Sequence, residues 1–167
     1  MRTDGSRRVA GPEAADGRRS AVDEVDEAIL RVLRRNARLS QEQIGHEINL
    51  SRPAVHERMR RLEARGVIHG YTVRVDWAAL GLPFAAFVAV KTEGRKYTEV
   101  ERAILDLEGR DAEVEESHTL VGEWCLLVKV RAASSPALQR LLDRIREVPG
   151  VKTTRTTIIL SSRANDA

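Results

Sequence analysis

Two helix-start signals follow one another closely, at Ser40 and Ser51, and the short space between them constrains the front of this chain more than any other feature. Ser40-Gln41-Glu42-Gln43 is a capping box, in which a hydroxyl and an amide three residues apart satisfy each other's orphan N–H groups. Asn49-Leu50-Ser51 then predicts a tight turn into a second helix. Ser51 is its expected N-cap, Pro53 falls in the first turn where a missing N–H costs nothing, and Gly66 sits at the C-cap. At roughly 100° per residue, Val55, Met59 and Leu62 share one face of that helix. Pro53, Glu57 and Arg60 point the opposite way, flanked by His56 and Arg61. An earlier helix is predicted over about Asp23 to Asn36, with Val25, Ile29, Val32 and Leu33 inward, acids in its first turn and Arg34 and Arg35 in its last. Three short helices in this order make a helix-turn-helix.

Behind it the periodicity changes. Val67 to Val75 contains a β-rich stretch, read as a linker strand or small wing, and Asp76 to Pro83 carries the turn residues of a domain boundary. Phe84 to Lys91 is an almost unbroken apolar run, the pattern of a strand buried on both faces. A helix over Tyr97 to Leu107, a more polar strand over Ala112 to Val121 and an apolar strand over Trp124 to Val130 follow. Ser135-Pro136 opens a helix with a Leu138, Leu141, Leu142, Ile145 stripe, and Val151 to Ser161 is the last strand. The order is βαββαβ, the ferredoxin-like arrangement. The expected fold class is therefore α+β: an N-terminal winged helix-turn-helix joined by a strand-containing linker to a C-terminal ferredoxin-like domain. The boundaries read as a disordered basic tail over 1–21, the helix-turn-helix over 22–66, the linker over 67–83, the ferredoxin-like domain over 84–162 and a short tail over 163–167. One face of such a sheet is covered by its two helices and the other can meet a second sheet, so a homodimer is the economical expectation.

Charge divides along the same line. Between Asp26 and Arg74 ten arginines stand against six acids, a net +4, whereas Asp76 to Leu160 comes to −1. A basic front half on a nearly neutral back half points to a polyanion partner for the front alone. Arg2, Arg7, Arg8, Arg18 and Arg19 of the leading segment could add unspecific affinity to that, although a plain solvated extension explains them as well. A lone cysteine, Cys125, excludes an internal disulfide framework and a multi-cysteine zinc site. In an apolar strand it reads as a small buried hydrophobe rather than a redox sensor. His46, His56, His69 and His118 lack metal-ligand spacing, so no metal and no cofactor is expected. Gly-rich phosphate loops, HExxH and Gly-x-Ser-x-Gly are missing, which argues against an enzyme. No apolar run reaches the roughly 18 residues of a membrane span, and no signal-peptide segment opens the chain. The expected location is the cytoplasm.

The exposed arc of the second start's helix suits the major groove of double-stranded DNA. Pro53, Ala54, His56, Glu57 and Arg60 are the candidates near base edges, with Glu57 accepting from cytosine and Arg60 donating to guanine. Arg58, Arg61 and Arg65 sit to the side and suit phosphates, with Ser51 and Arg52 at the helix entry. The plainer alternative is a solvated helix face, and Glu57 with Arg61, four residues apart, could be a merely structural pair.

At these residues the chain resembles the Lrp/AsnC, or feast/famine, family of bacterial and archaeal transcription regulators. The resemblance is carried by Asp26-Glu27-Ala28-Ile29-Leu30, by Leu50 to Glu63 and by Gly66-Val67-Ile68-His69-Gly70-Tyr71. Val121-Gly122-Glu123-Trp124, Pro149-Gly150-Val151 and Thr154-Arg155-Thr156 carry it through the back half. It spans roughly residues 22 to 162. It implies a DNA-binding regulator that dimerises through its C-terminal domain, often assembling to tetramers or octamers, and that answers to a small effector, commonly an amino acid. The effector region it implies comprises Ser117, His118, Thr119, Val121, Gly122, Glu123 and Trp124 with Thr154 and Thr156 of the last strand. One departure stands out. Where the family usually has Gly-Asp-aromatic-Asp, this chain has Gly122-Glu123-Trp124-Cys125, and a neutral thiol cannot supply the second acid's charge. Trp124 suits a pocket wall or a subunit contact equally.

The sirohaem decarboxylases resemble the same two-part plan. Their chemistry relies on His and Arg around a tetrapyrrole, for which only His118 and Arg155 are candidates here. An effector-independent DNA-organising protein is the third reading.

Overall fold

The computed structural model describes residues 22–161 apart from 95 and 108. The expected tails, 1–21 and 163–167, lie outside the described residues. The described chain forms two compact units that divide between Val73 and Arg74.

The first unit holds three helices, α1 (Glu24–Arg35), α2 (Gln41–Ile48) and α3 (Arg52–Ala64). The capping box expected at Ser40 closes with Gln43 at α2, and a second one, Asp23 with Asp26, opens α1. Ser51 stands at the N-cap of α3, but its hydroxyl makes no capping bond. Pro53 occupies the second helical position and has no N–H to offer it. Ile29, Ile44 and Val55, one from each helix, are fully buried together with Leu62 at 1% exposure, and Met59 packs against them. Asn49 turns the chain from α2 to α3 in the left-handed region at φ 56°. The turn closes so tightly that a Cβ at Gly45 would collide with the Leu50 carbonyl oxygen, which leaves glycine as the residue for that position.

The strand expected within Val67 to Val75 is not formed, and with it goes the wing. A strand is held by a neighbour's N–H and C=O groups, and among the described residues nothing pairs with this stretch. Tyr71, Val73 and Val75 remain exposed, Val73 to 79%.

The second unit is βαββαβ: β1 (Phe84–Thr92), α4 (Tyr97–Leu105), β2 (Ala112–Thr119), β3 (Leu126–Ala132), α5 (Ser135–Glu147) and β4 (Val151–Ile159). Its sheet runs in the order β2-β3-β1-β4 with every neighbouring pair antiparallel. Ala86, Val88 and Val90 of β1 stand opposite Val130, Val128 and Leu126 of β3, all fully buried under α4 and α5 with Val100, Ile104, Leu141 and Ile145. The N-cap of α5 is Ser134, one residue before the expected Ser135, and its hydroxyl accepts from the Ala137 N–H at 3.3 Å. β1 is buried on one face rather than two: Phe87, Ala89 and Lys91, on the side away from the helices, are half-buried because no second layer among the described residues covers them.

A bulge between Val114 and Glu116 interrupts the β2–β3 register. On the helix-free face Glu115 accepts from Lys129 Nζ at 2.9 Å and from Arg131 Nε at 2.7 Å. Burial pushes the Glu115 carboxyl up, but the hydrogen bonds and charges of Arg131 and Lys129 together outweigh it and leave the pKa below the ordinary value. Arg131 also lies over the Trp77 ring, 5.2 Å from its centroid.

Candidate nucleic-acid interface

Helix α3 is seated by Val55 and Leu62, with Ala54, Arg58 and Met59 half-buried and its other side chains exposed. Ser51, Arg52, Pro53, His56, Glu57, Arg60, Arg61 and Arg65 are exposed, and Ala54 is half-buried among them. Polar contacts then sort these side chains in a way that spacing alone did not. Glu57 pairs with Arg60 rather than with Arg61: Oε2 accepts from Arg60 Nε at 3.1 Å and Oε1 from Nη2 at 2.9 Å. That fork lowers the pKa of Glu57 and raises that of Arg60, so both remain charged and locked on the outer arc.

Arg58 corrects the expectation most clearly. Its Nη1 donates to Asp23 Oδ2 at 2.6 Å and to Asp26 Oδ1 at 2.7 Å, tying α3 to the start of α1. Its side chain is 24% exposed and that of Asp26 4%. Arg58 thus joins the two helices and is less open than Arg61 and Arg65, the other arginines expected on the phosphate-facing flank. The hydrogen bonds it donates to Asp23 and Asp26 raise its pKa, and the bond to Asp23 lowers that of Asp23.

Sequence reasoning did not single out Gln41. Its Nε2 meets His56 Nδ1 at 3.0 Å, and the two side chains border a shallow concavity of about 330 Å³ together with Arg52 and Pro53. The only signal in the sequence was its place beside the Ser40 cap.

The residues expected to surround an effector do not form one pocket within this chain. β2 and β4 are opposite edges of the sheet, with β3 and β1 between them. By register Ser117, Thr119, Thr154 and Thr156 stand beside Val128, Leu126, Val90 and Val88, on the helix-covered side. Ser117 and Thr119 hydroxyls donate to Glu101 Oε1 of α4 at 3.1 and 3.5 Å. Glu101 lay just outside the apolar stripe of its helix and gave no signal of its own. His118 stands beside Leu127 on the other face and approaches Glu116 at 3.5 Å. Glu123 reaches Lys91 at 3.9 Å, and Trp124 lies under Arg155 at 4.9 Å, so both lean toward that second face. Val121 is fully exposed, and Gly122 makes its turn at φ 139°. Cys125 is half-buried just before β3, its N–H donating to the Val90 carbonyl at 2.9 Å, rather than a buried strand residue. Among the described residues no three His, Cys, Asp or Glu side chains converge as a metal site.

Comparison with known proteins agrees with both units. The family model described as "Lrp/AsnC ligand binding domain" matches residues 85–166, and a "Winged helix-turn-helix DNA-binding" model matches residues 22–69. The HTH-type transcriptional regulator LrpA of Mycobacterium tuberculosis is 36% identical over 146 residues, 87% of this chain and 95% of its own. The HTH-type transcriptional regulator FL11 of Pyrococcus horikoshii is 33% identical over 144 residues, 86% of this chain and 93% of its own. Among solved structures, the feast or famine regulatory protein Rv3291c of M. tuberculosis complexed with L-methionine superposes with a TM-score of 0.75 at 34% identity, covering 86% of this chain and 95% of that one. LrpC of B. subtilis gives 0.75 at 31% identity, covering 86% and 97%. With a helix-turn-helix that exposes Arg60 and Arg61, a βαββαβ unit behind it and relatives of this similarity over nearly their whole length, the chain belongs to the Lrp/AsnC family of helix-turn-helix transcriptional regulators, not to an enzyme class.

Proposed function

We propose that this regulator reads double-stranded DNA by laying the outer arc of α3 in the major groove. Pro53, Ala54, His56, Glu57 and Arg60 face base edges; Ser51, Arg52, Arg61 and Arg65 face phosphates. The observation that carries this reading is the sorting of the arginines: Arg58 turns inward to Asp26, while Arg60 is held outward by Glu57. Specific recognition by such a helix uses two half-sites about one helical turn, or a multiple of it, apart, which needs a second copy. The helix-free face of the sheet, with Phe87, Ala89 and Leu127 half-buried between charged flanks, is the surface we assign to the homodimer, with tetramers or octamers built from it. No described helix is long and apolar enough to cross a membrane, in keeping with a regulator that works on DNA in the cytoplasm.

A relative is known in complex with L-methionine, and we extend an amino-acid effector to this chain. The expected residues lie on two edges and two faces of one sheet, which favours a site completed between copies. Thr156, one of the expected residues, has a buried hydroxyl without a hydrogen-bond partner among the described residues, as does Thr92.

The test is a gel shift on the DNA upstream of the protein's own gene, over a range of salt. Affinity should fall steeply as salt rises, because each phosphate contact releases counterions. No shift at low salt overturns the reading.

A further inference from the structure

The Gln41–His56 contact joins two helices at the surface proposed to meet DNA, and it is made by chemistry with a direction. An amide nitrogen donates and does not accept, so with Gln41 Nε2 at 3.0 Å the His56 Nδ1 is the acceptor. The ring proton then resides on Nε2, at the far side of the imidazole. His56 thereby presents a hydrogen-bond donor from a ring whose rotation is restrained by its inner nitrogen.

Both ends of the contact rest on fixed backbone. Gln41 is the first residue of α2, inside the Ser40–Gln43 box, whose two bonds measure 2.8 and 3.2 Å. His56 lies in the α3 turn that begins at Pro53 and is anchored through the adjacent, fully buried Val55. Water competes for this contact in the free protein, where His56 is exposed and Gln41 half-buried. Groove binding removes that water, and a bond made in a drier setting is worth more.

We propose that Gln41 is a positioning residue for base reading: it aims His56 Nε2–H at a major-groove acceptor, either guanine N7 or O6 or thymine O4. This rests on the reading of α3 given above. A backbone phosphate is also an acceptor, and the experiment separates the two sources.

The full-length protein is first used to select its preferred duplex from a random pool, and affinities are then measured for that duplex and for a scrambled one. A pool that yields no preferred sequence strikes the parent reading, before any variant is made. Given a preferred duplex, Gln41→Met and His56→Ala should each weaken it about tenfold, the scale of one lost hydrogen bond between well-placed groups. The double variant should lose no more than either single one, because the two residues act as a unit. Affinity for the scrambled duplex should stay within about twofold for all three, which also reports that the variants are folded. Carbon in place of guanine N7, or sulfur in place of thymine O4, at one position should weaken the wild type and leave His56→Ala indifferent. Multiplied losses in the double variant would mean that Gln41 and His56 touch DNA separately. Equal losses on the scrambled duplex would mean a phosphate partner. Full affinity in Gln41→Met would mean that the contact aims nothing. Each of these three outcomes overturns the proposal.

Discussion

Arg58 Nη1 lies 2.7 Å from Asp26 Oδ1, and this pair fastens the helix proposed to read DNA to the first turn of α1. Asp26 is 3% exposed and so depends on its partner for compensation. Removing one member of a buried pair costs far more than exchanging both, because the survivor is left charged and dry. Arg58→Met should therefore destabilise the helical unit by about 3 kcal/mol in urea unfolding. Adding Asp26→Leu should recover most of that loss. A double variant no more stable than Arg58→Met would remove the pair from its assigned role.

The turn between α2 and α3 makes a second prediction. A methyl at Gly45 meets the Leu50 carbonyl oxygen, whose backbone cannot yield without opening the turn. Gly45→Ala should cost about 1–3 kcal/mol, as overpacking does, and abolish DNA binding through misplacement of α3. The second unit should keep its folding, readable as unchanged amide protection in β1 and β3. Retained DNA affinity in Gly45→Ala would show that the turn tolerates movement.

Within α3 the arginines should separate by partner. Arg60→Ala should weaken the preferred duplex more than a scrambled one, and Arg61→Ala should weaken both alike. Glu57→Gln, which loosens the two-bond grip on Arg60, should alter which base is preferred at one position rather than total affinity. Competitive binding over a panel of single-base variants reads all three. A uniform loss for each would reduce the whole arc to phosphate contacts.

The ion cluster on the helix-free face has a pH signature. Glu115 has a folded-state pKa below its ordinary 4.5, so its contribution is complete above the unfolded value and disappears as pH falls through the folded one. Melting temperature should thus drop as the solution is acidified below about pH 4.5. Glu115→Gln should melt about 3 °C lower at pH 7, the scale of a partly exposed pair, and show a flatter acid limb. A limb unchanged in Glu115→Gln would assign the acid sensitivity to other carboxylates.

Effector binding is the remaining prediction. A ligand that binds only the folded state raises the melting temperature, by an amount that grows with the logarithm of its concentration over its dissociation constant. A screen of the amino acids should yield a shift of several degrees for at least one, lost in Thr156→Val. A flat screen would favour an effector-independent regulator.

Much of this architecture was local and therefore legible in the sequence. The capping box at Ser40 involves groups three residues apart, and the stripe of Val55, Met59 and Leu62 follows from helical pitch. The βαββαβ order could be read from where short apolar runs give way to stripes of period 3.6. Other features had no local signature. Asp26 looked like an ordinary first-turn acid, and only folding brings it to an arginine 32 positions away. Val67 to Val75 has strand composition, yet composition does not provide the neighbouring backbone that a ladder needs. The bulge at Val114/Glu116 is the sharpest case. Strict alternation from Ala112 would send Ser117 and Thr119 to the helix-free face. One extra residue reverses that parity and turns them toward Glu101. The sequence by itself determined the elements, their order and the sign of charge each carries, because those depend on neighbours along the chain. Which arginine turns inward, which face receives each candidate effector residue and which amide aims His56 were decided by tertiary structure, because each depends on groups that only packing brings within reach.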